Sequence, residues 1–356
     1  MITYELPPVT ITAGNAAMNF QPVSADMQWG RRCTIMIGKN DPTGKKSSPY
    51  LTVSDLRVTF EILKTIDKTP NSAKVSIYNL TDQHTNLIKK DYDEVIMMAG
   101  YQAADQMLFR GTIRHAYSYQ ESGTDWITYI DAGDGDKDYQ QAVISKTLAA
   151  GHTDNDWLNE CGKAFLATGG TKLGHMDVKG RARVRGRTYV GLTRDLITQI
   201  AKASDAHWSI QDGVLQIVAV DTTLPNQAIK IASNNGLLGA PEVTDKGITV
   251  KCLLRPALKV QGKIWIDNNN VRERARKASI YHKGGPLKPL TRLDVDGVYK
   301  NFKVLHRGDT RGNSGEDWCS EVQCVGLTDA IPKLTGATPT KANDMMDSMP
   351  EGAEAY

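Results

Sequence analysis

The sequence predicts a mainly β fold with an α/β insert, in which two antiparallel β-barrel-like domains flank a small α/β module. Three observations predict it. Apolar residues alternate with polar ones in many short runs before Asp138 and again after Pro225, and a period of two marks a half-buried strand. Between these regions apolar residues recur at helical spacing, most clearly at Leu196, Ile197, Ile200 and Ala201. Residues 1–30 and 331–356 keep neither period. At 356 residues the chain is longer than one typical domain. The breaks divide it into an N-terminal arm (1–48), a first β-barrel domain (49–138), the α/β module (139–222), a second β-barrel domain (223–330) and a flexible C-terminal tail (331–356).

Taken in order, the arm carries Pro7, Pro8 and Pro22 and reads as an extended segment that a neighbouring subunit would pin down. Cys33–Gly38 is a short strand, followed by a turn-rich loop at Asn40–Gly44. Leu56, Val58, Phe60 and Ile62 fall on one face of the next strand, with Arg57, Thr59 and Glu61 on the other. Lys74–Leu80 repeats the alternation, and Thr81 is placed to cap a short helix over Asp82–Ile88. Strands resume at Glu94–Gly100, Gln106–Tyr119 and Trp126–Ala132. In the module, Tyr139–Leu148, Asp156–Leu166 and Thr193–Ser204 read as helices, the last with Thr193 as N-cap and Asp195 at the positive end of its dipole. His207–Gln211 and Val214–Val220 read as a hairpin, because Asp212-Gly213 between apolar runs is a strong turn signal. Ile229–Ala232, Gly247–Leu254, Lys259–Ile266, Gly297–His306 and Trp318–Val325 carry the second β region, with a basic exposed loop at Asn268–Lys277.

Composition narrows the function. The formal charge of +3 argues against nucleic acid or an anionic membrane as the main partner. No run of 18 apolar residues occurs, so no transmembrane helix is expected, and the first residues lack the basic start and apolar core of a signal peptide. The five cysteines (Cys33, Cys161, Cys252, Cys319 and Cys324) form no Cys-x-x-Cys, so reduced thiols made in a cytoplasm are expected rather than a disulfide framework or a zinc site.

Motifs that carry chemistry are sparse. Asp134, Asp136 and Asp138 have the opening spacing of a calcium loop, but Tyr139 stands where the loop needs glycine and Ser145 where it needs glutamate. A turn held by Asp and Gly is the expected reading. The seven histidines make no metal-binding pair, and no nucleophile elbow, phosphate loop or dinucleotide fingerprint is present. No catalytic residue, cofactor or metal ligand is therefore assigned. The sharpest charged feature is Lys179–Arg187, whose alternation puts Arg181, Arg183, Arg185 and Arg187 on one face of an extended segment. These four are the candidate interface residues, facing carboxylates of another subunit or, in a binding module, phosphate.

Several runs resemble the baseplate hub (tail hub) proteins of contractile-tailed bacteriophages. Asp55–Ile62, Pro70–Leu80, Ala99-Gly100-Tyr101 and Leu108–Ile113 are similar to that family's opening β-domain. Asp134-Gly135-Asp136 with Tyr139 and Ala142 is similar to its transition into a helical insert. Asn235–Pro241, Gly247–Leu254, Pro256 and Gly262 resemble the linker into its second β-domain, and Val304–Asp309 with Trp318 its closing strands. Gln261 departs from the pattern, where Pro is expected before Gly262. The similarity runs over roughly residues 50–327. It implies a structural virion protein without enzymatic activity, a homotrimer coaxial with the tail tube. Its partners would be the tube or a tube-initiator protein above, a cell-puncturing spike below and other baseplate proteins. Viral DNA would pass through without specific binding, and the chain would not insert in a membrane. The alternatives are a cell-wall hydrolase of the tail tip and a nucleic-acid- or carbohydrate-binding module using the arginine face.

Overall fold

The computed structural model describes residues 30–39, 50–66, 69–101, 104–244, 247–266 and 297–326. Most of the arm, the loops expected at Asn40–Gly44 and Asn268–Lys277, and the tail lie outside the described residues.

The first β region contains β1 (Arg31–Gly38), β2 (Leu51–Val53), β3 (Val58–Thr65), β4 (Ser72–Tyr78), α1 (Asp82–Lys90), β5 (Glu94–Tyr101), β6 (Ala104–Gln120) and β7 (Trp126–Gly133). The module contains α2 (Asp136–Gln141), β8 (Val143–Leu148), α3 (Asp154–Thr168), β9 (Lys172–Met176), β10 (Arg187–Leu192), α4 (Thr193–Ala203), β11 (Ala206–Gln211) and β12 (Val214–Ala219). The last region contains β13 (Ile229–Ile231), β14 (Glu242–Thr244), β15 (Gly247–Leu253), β16 (Lys263–Ile266), β17 (Val298–Asp309) and β18 (Trp318–Gly326). As the sequence indicates, Thr81 Oγ1 caps α1 by accepting from the His84 amide, and Asp212 and Gly213 both take positive φ in the β11–β12 turn.

The mixed, mainly β character agrees with the sequence, but the two β-barrel-like domains do not form. Strands from both β regions belong to one open sheet of 13 strands, in the order β14-β15-β18-β17-β3-β4-β7-β6-β5-β1-β2, with β16 attached to β17 and β13 to β16. The path ends at β14 and β2 without closing on itself. The reason lies in β17. One edge pairs with β18 along most of its length; the other carries β16 at Val298–Lys300 and then β3 at Lys303–Asp309. A register shift between Asn301 and Lys303 marks the handover. Alternation fixes which face of a strand is buried but not which strand it pairs with, so the sequence pattern cannot tell two closed barrels from one shared sheet.

Two apolar clusters line the sheet. The first is built on Ile35, Ile37, Phe60, Ile62, Val75, Ile77, Met97 and Phe109, and it also takes Leu254 and Trp318 from the far end of the chain. Trp318 meets Phe60 edge-on, with ring centroids 5.4 Å apart. A Cβ on Gly308 would lie 2.2 Å from the Phe60 ring, so only glycine fits where β17 crosses beneath it. The second cluster gathers Ile231, Val250, Cys252, Ile264, Tyr299, Val304, Val322 and Cys324.

The module has its own core of Trp157, Leu158, Cys161 and Phe165 from α3, Leu196, Ile197 and Ile200 from α4, and Trp208, Ile210, Leu215 and Ile217 from β11 and β12. Several details differ from the sequence reading, which predicts neither β9 nor β10. Tyr139–Leu148 is a short helix followed by a strand, because the β-branched Val143, Ile144 and Thr147 pair with β10 instead of continuing the helix. Thr193 begins α4 rather than capping it; Leu192 takes the cap position without a side-chain bond.

The module is held to the sheet by buried polar groups. Lys64 continues the inward face of β3, and its Nζ donates to Asp212 Oδ1 at 2.7 Å, with both side chains buried. Asp134, at the end of β7, accepts from the Asp212 and Gly213 amides at 2.5 and 3.0 Å. Asn71 accepts from the Thr65 amide and donates to the Ile210 carbonyl at 2.7 Å. A second set lies on the other side of the hairpin. Lys300 Nζ donates to the Ala219 carbonyl at 2.7 Å, Gln211 Nε2 to the Val260 carbonyl at 3.1 Å, and Gln261 Nε2 to the His207 carbonyl at 3.1 Å. Gln261 has φ +64°, which the proline ring cannot adopt; the departure from the hub pattern at this position is therefore a requirement of this backbone.

Removing the cation from this joint should be costly. Lys64→Met is expected to lower the unfolding free energy by about 3–5 kcal/mol, because Asp212 and Asp134 stay buried without it. Urea unfolding should show a lower midpoint at constant slope, and Lys64→Met/Asp212→Asn should recover part of the loss. A loss below about 1 kcal/mol would mean that the joint does not depend on the pair.

Candidate assembly interface

The acidic cluster singled out in the sequence is engaged in structure rather than gathered for chemistry. Asp134 serves the joint. Asp136 accepts from Arg114 Nη2 on one oxygen and Gln140 Nε2 on the other, each at 2.8 Å. Asp138 Oδ2 accepts from the Thr171 amide at 2.9 Å. Burial pushes the carboxyls of Asp134 and Asp138 above the usual range; at Asp134 the neighbouring Asp212 carboxylate adds to this, while Lys64 and the two amides act against it. Among the described residues no group of three or more His, Cys, Asp or Glu could hold a metal ion.

An open cleft of about 700 Å³ runs beside the joint, lined by Ser72, Arg114, Asp136, Tyr139, Gln140 and Arg194 among others. It holds no nucleophile paired with a base. Arg194 lies 4.7 Å over the Tyr139 ring and donates to the Tyr139 carbonyl at 3.2 Å. The closest approach to a catalytic pair is His306 Nδ1 and Ser320 Oγ, 2.8 Å apart. Both residues are fully buried, so no substrate reaches them. Burial, with the positive charge of Lys64 nearby, holds the His306 imidazole down to about 3, well below the ordinary histidine value. The sequence reading counts His306 only among scattered histidines without a metal-binding partner; its place between the inward-facing Val304 and Gly308 signals a core position.

The five cysteines are free and buried. Burial raises Cys33, Cys161 and Cys252 to about 12, so these thiols stay protonated and unreactive. No helix of the described residues is long and apolar enough to cross a membrane.

The arginine run is not an extended face. Lys179–Gly186 is a loop, and only Arg187 lies in a strand. All four arginines are exposed, but they divide into two pairs. Arg183 binds the Asp154 carboxylate at 3.0 Å, and its backbone exchanges bonds of 2.8 Å with Gly151 and His152. Arg187 donates to Gln199 Oε1 at 2.9 Å and lies over the rings of Trp157 and Tyr189. These two anchor the loop on α3 and α4. Arg181 and Arg185 have no side-chain partner within the described residues.

The outer face of the sheet is a second exposed surface. Registered neighbours His115, Asp131, Lys74, Glu61 and Arg307 form a row across β6, β7, β4, β3 and β17. Acids and bases alternate along this row, and Arg307 Nε meets Glu61 Oε2 at 3.0 Å. Beside it, Tyr117 packs on Tyr119 and Tyr129 with centroids 5.9 and 5.0 Å apart.

No protein-family model matches the chain, and no curated protein matches its sequence. The fold does have counterparts among solved structures. The 43 kDa tail protein of prophage MuSo2 from Shewanella oneidensis superposes with a TM-score of 0.52 at 8% identity, over 84% of this chain and 99% of that one. A chain of the Francisella PdpA–VgrG complex, half-lidded, superposes with a TM-score of 0.53 at 8% identity, over 85% of this chain and 59% of its own length. At such identities the likeness is one of fold alone.

The buried His306 should leave a mark on acid stability. An unfolded histidine titrates near 6.5, whereas the folded imidazole stays neutral down to about 3. Its contribution is therefore complete above pH 6.5 and is lost as pH falls toward 3, at about 1.4 kcal/mol per pH unit. His306→Gln should flatten the stability profile between pH 6.5 and 4 by about that slope, whatever its effect at neutral pH. An unchanged slope would place the acid-sensitive group elsewhere.

Proposed function

We propose that this chain is a structural virion protein, the hub of a contractile phage-tail baseplate, acting as a homotrimer coaxial with the tail. The observation that carries this reading is a fold likeness covering 99% of a phage tail protein. The residue resemblance over roughly 50–327 supports it independently. In this role the hub adapts a sixfold tail tube above to a threefold spike below and contacts other baseplate proteins. The chain carries out no catalysis; its buried carboxylates and histidine are committed to packing and hydrogen bonding.

The outer sheet face suits the wall of a channel through which DNA is ejected. Its charges alternate in sign along the Asp131–Lys74–Glu61–Arg307 row. A wall of alternating sign offers a polyanion little net attraction, whereas a uniformly basic wall would hold phosphate and slow passage.

A reconstruction of the intact particle should place three copies around the tail axis, between tube and spike. The purified chain should release no soluble fragments from peptidoglycan, and Asp131→Asn, on the sheet face outside the joint, should change nothing in that assay. A solitary copy off the axis, or a lytic activity that the substitution removes, would overturn the reading.

A further inference from the structure

The Lys179–Arg187 loop and the ribbon beside it form a surface with a specific complement. β8 and β10 pair only with each other among the described residues, so both outer edges of this ribbon are open. Val143 and Val190 lie on its outer face, diagonal to each other across the Val143–Leu192 and Ser145–Val190 pairs, and are 59% and 69% exposed. At the end of the ribbon the anchored loop presents Val184, 92% exposed, between Arg183 and Arg185. Arg183 and Arg187 hold this loop in place, and Arg181 and Arg185 on it have no side-chain partner among the described residues. Exposed arginines on a mobile tail would be unremarkable; here two flank the exposed Val184 in a loop anchored at one end of the ribbon that carries Val190 and, at its other end, Val143.

We propose that residues 342–356 of the same copy dock on this surface. Three long stretches of the chain lie outside the described residues, and they differ sharply in charge. Residues 267–296 are basic on balance, and residues 1–29 hold only Glu5 and Asp26 as charged side chains. Residues 342–356 carry Asp344, Asp347, Glu351 and Glu354 with no lysine or arginine, interleaved with Met345, Met346 and Met349. Carboxylates meet the two free guanidiniums, and the adaptable methionines cover the valines.

Reach favours the same copy. Gly326, the last described residue, pairs with Tyr299, whose neighbour Lys300 bonds the Ala219 and Val220 carbonyls. Val220 N donates to the Asp205 carbonyl, and Ser204 Oγ accepts from the Lys179 amide at 3.3 Å. Gly326 is thus linked to the start of the loop through a chain of contacts. Residues 327–341 would span up to about 50 Å if extended. Exposed ion pairs are individually weak, but a tether of this length holds the segment at a local concentration in the millimolar range.

The test uses the full chain with Arg185→Lys, which keeps the charge and supplies an amine for zero-length carbodiimide coupling to carboxylates. Heavy- and light-isotope copies are mixed before coupling, and the cross-linked peptides are read by mass spectrometry. The expected product joins position 185 to Asp344, Asp347, Glu351 or Glu354 within one isotope class, in at least tenfold excess over products from the exposed Lys90. Adding Arg181→Glu leaves that amine in place and should cut the yield several-fold, as should 1 M salt. Mixed-isotope products would assign the surface to another copy. Coupling to acids elsewhere, or at the Lys90 background, would leave it without this occupant. Either result overturns the proposal while leaving the hub reading intact, since that reading does not depend on the segment.

Discussion

The structure depends on a buried charge joint between the hairpin turn of the module and the inner face of the sheet. Lys64, Asp212 and Asp134 are all buried, and the bonds among them run from β3 to the β11–β12 turn and from that turn to the end of β7. Taking such groups from water costs several kcal/mol each, which is repaid only where geometry satisfies every member. Apolar residues of similar volume could give comparable stability. What they could not supply is direction. Each bond here has a fixed donor and acceptor, so the turn has one seat on the sheet. Asn71, Gln211, Gln261 and Lys300 add further directional bonds around it.

The same logic applies to the sheet. β17 is the strand on which both β regions depend: it pairs with β18 along one edge and changes partner from β16 to β3 along the other. Leu254 and Trp318 therefore pack in the first apolar cluster although they lie late in the chain. The two β regions cannot move independently without breaking the β3–β17 ladder. An open sheet has consequences that a barrel does not. Among the described residues it leaves β14, β2 and β13 as edges, with backbone groups that neighbours can engage.

How far the sequence discloses this can be judged residue by residue. Alternation located the longer strands of the two β regions, because a residue's parity is a local property, but it missed β8, β9, β10 and β14. The β11–β12 turn was equally plain, since Asp212-Gly213 is chemically suited to positive φ at both positions. Tyr139–Leu148 was misread, because a six-residue helix followed by a strand of β-branched residues has no long period to detect. Strand partnership was invisible, since it depends on contacts between residues hundreds of positions apart. The joint was half visible. Lys64 continues the inward series Val58, Phe60 and Ile62, and His306 sits between Val304 and Gly308, so each is a polar residue at a core position. Their partners come from the module and from β18, and one chain's pattern cannot name them.

The arginine run makes the same point about function. Read as a string, Arg181, Arg183, Arg185 and Arg187 are equivalent, and alternation assigns them a single face. Folded, they have two roles: Arg183 and Arg187 meet Asp154, Gln199 and the Trp157 ring, which makes the loop part of the module, while Arg181 and Arg185 are exposed without a side-chain partner among the described residues. A charge that already has a partner contributes little to binding another molecule, whereas one held in place without a partner retains its full attraction and loses little entropy on contact. The surface a neighbour meets is therefore defined by how the internal charges are paired. The buried Lys64 pair, Arg183 on Asp154 and Arg307 on Glu61 are charges matched within the chain, whereas Arg181 and Arg185 have no side-chain partner among the described residues.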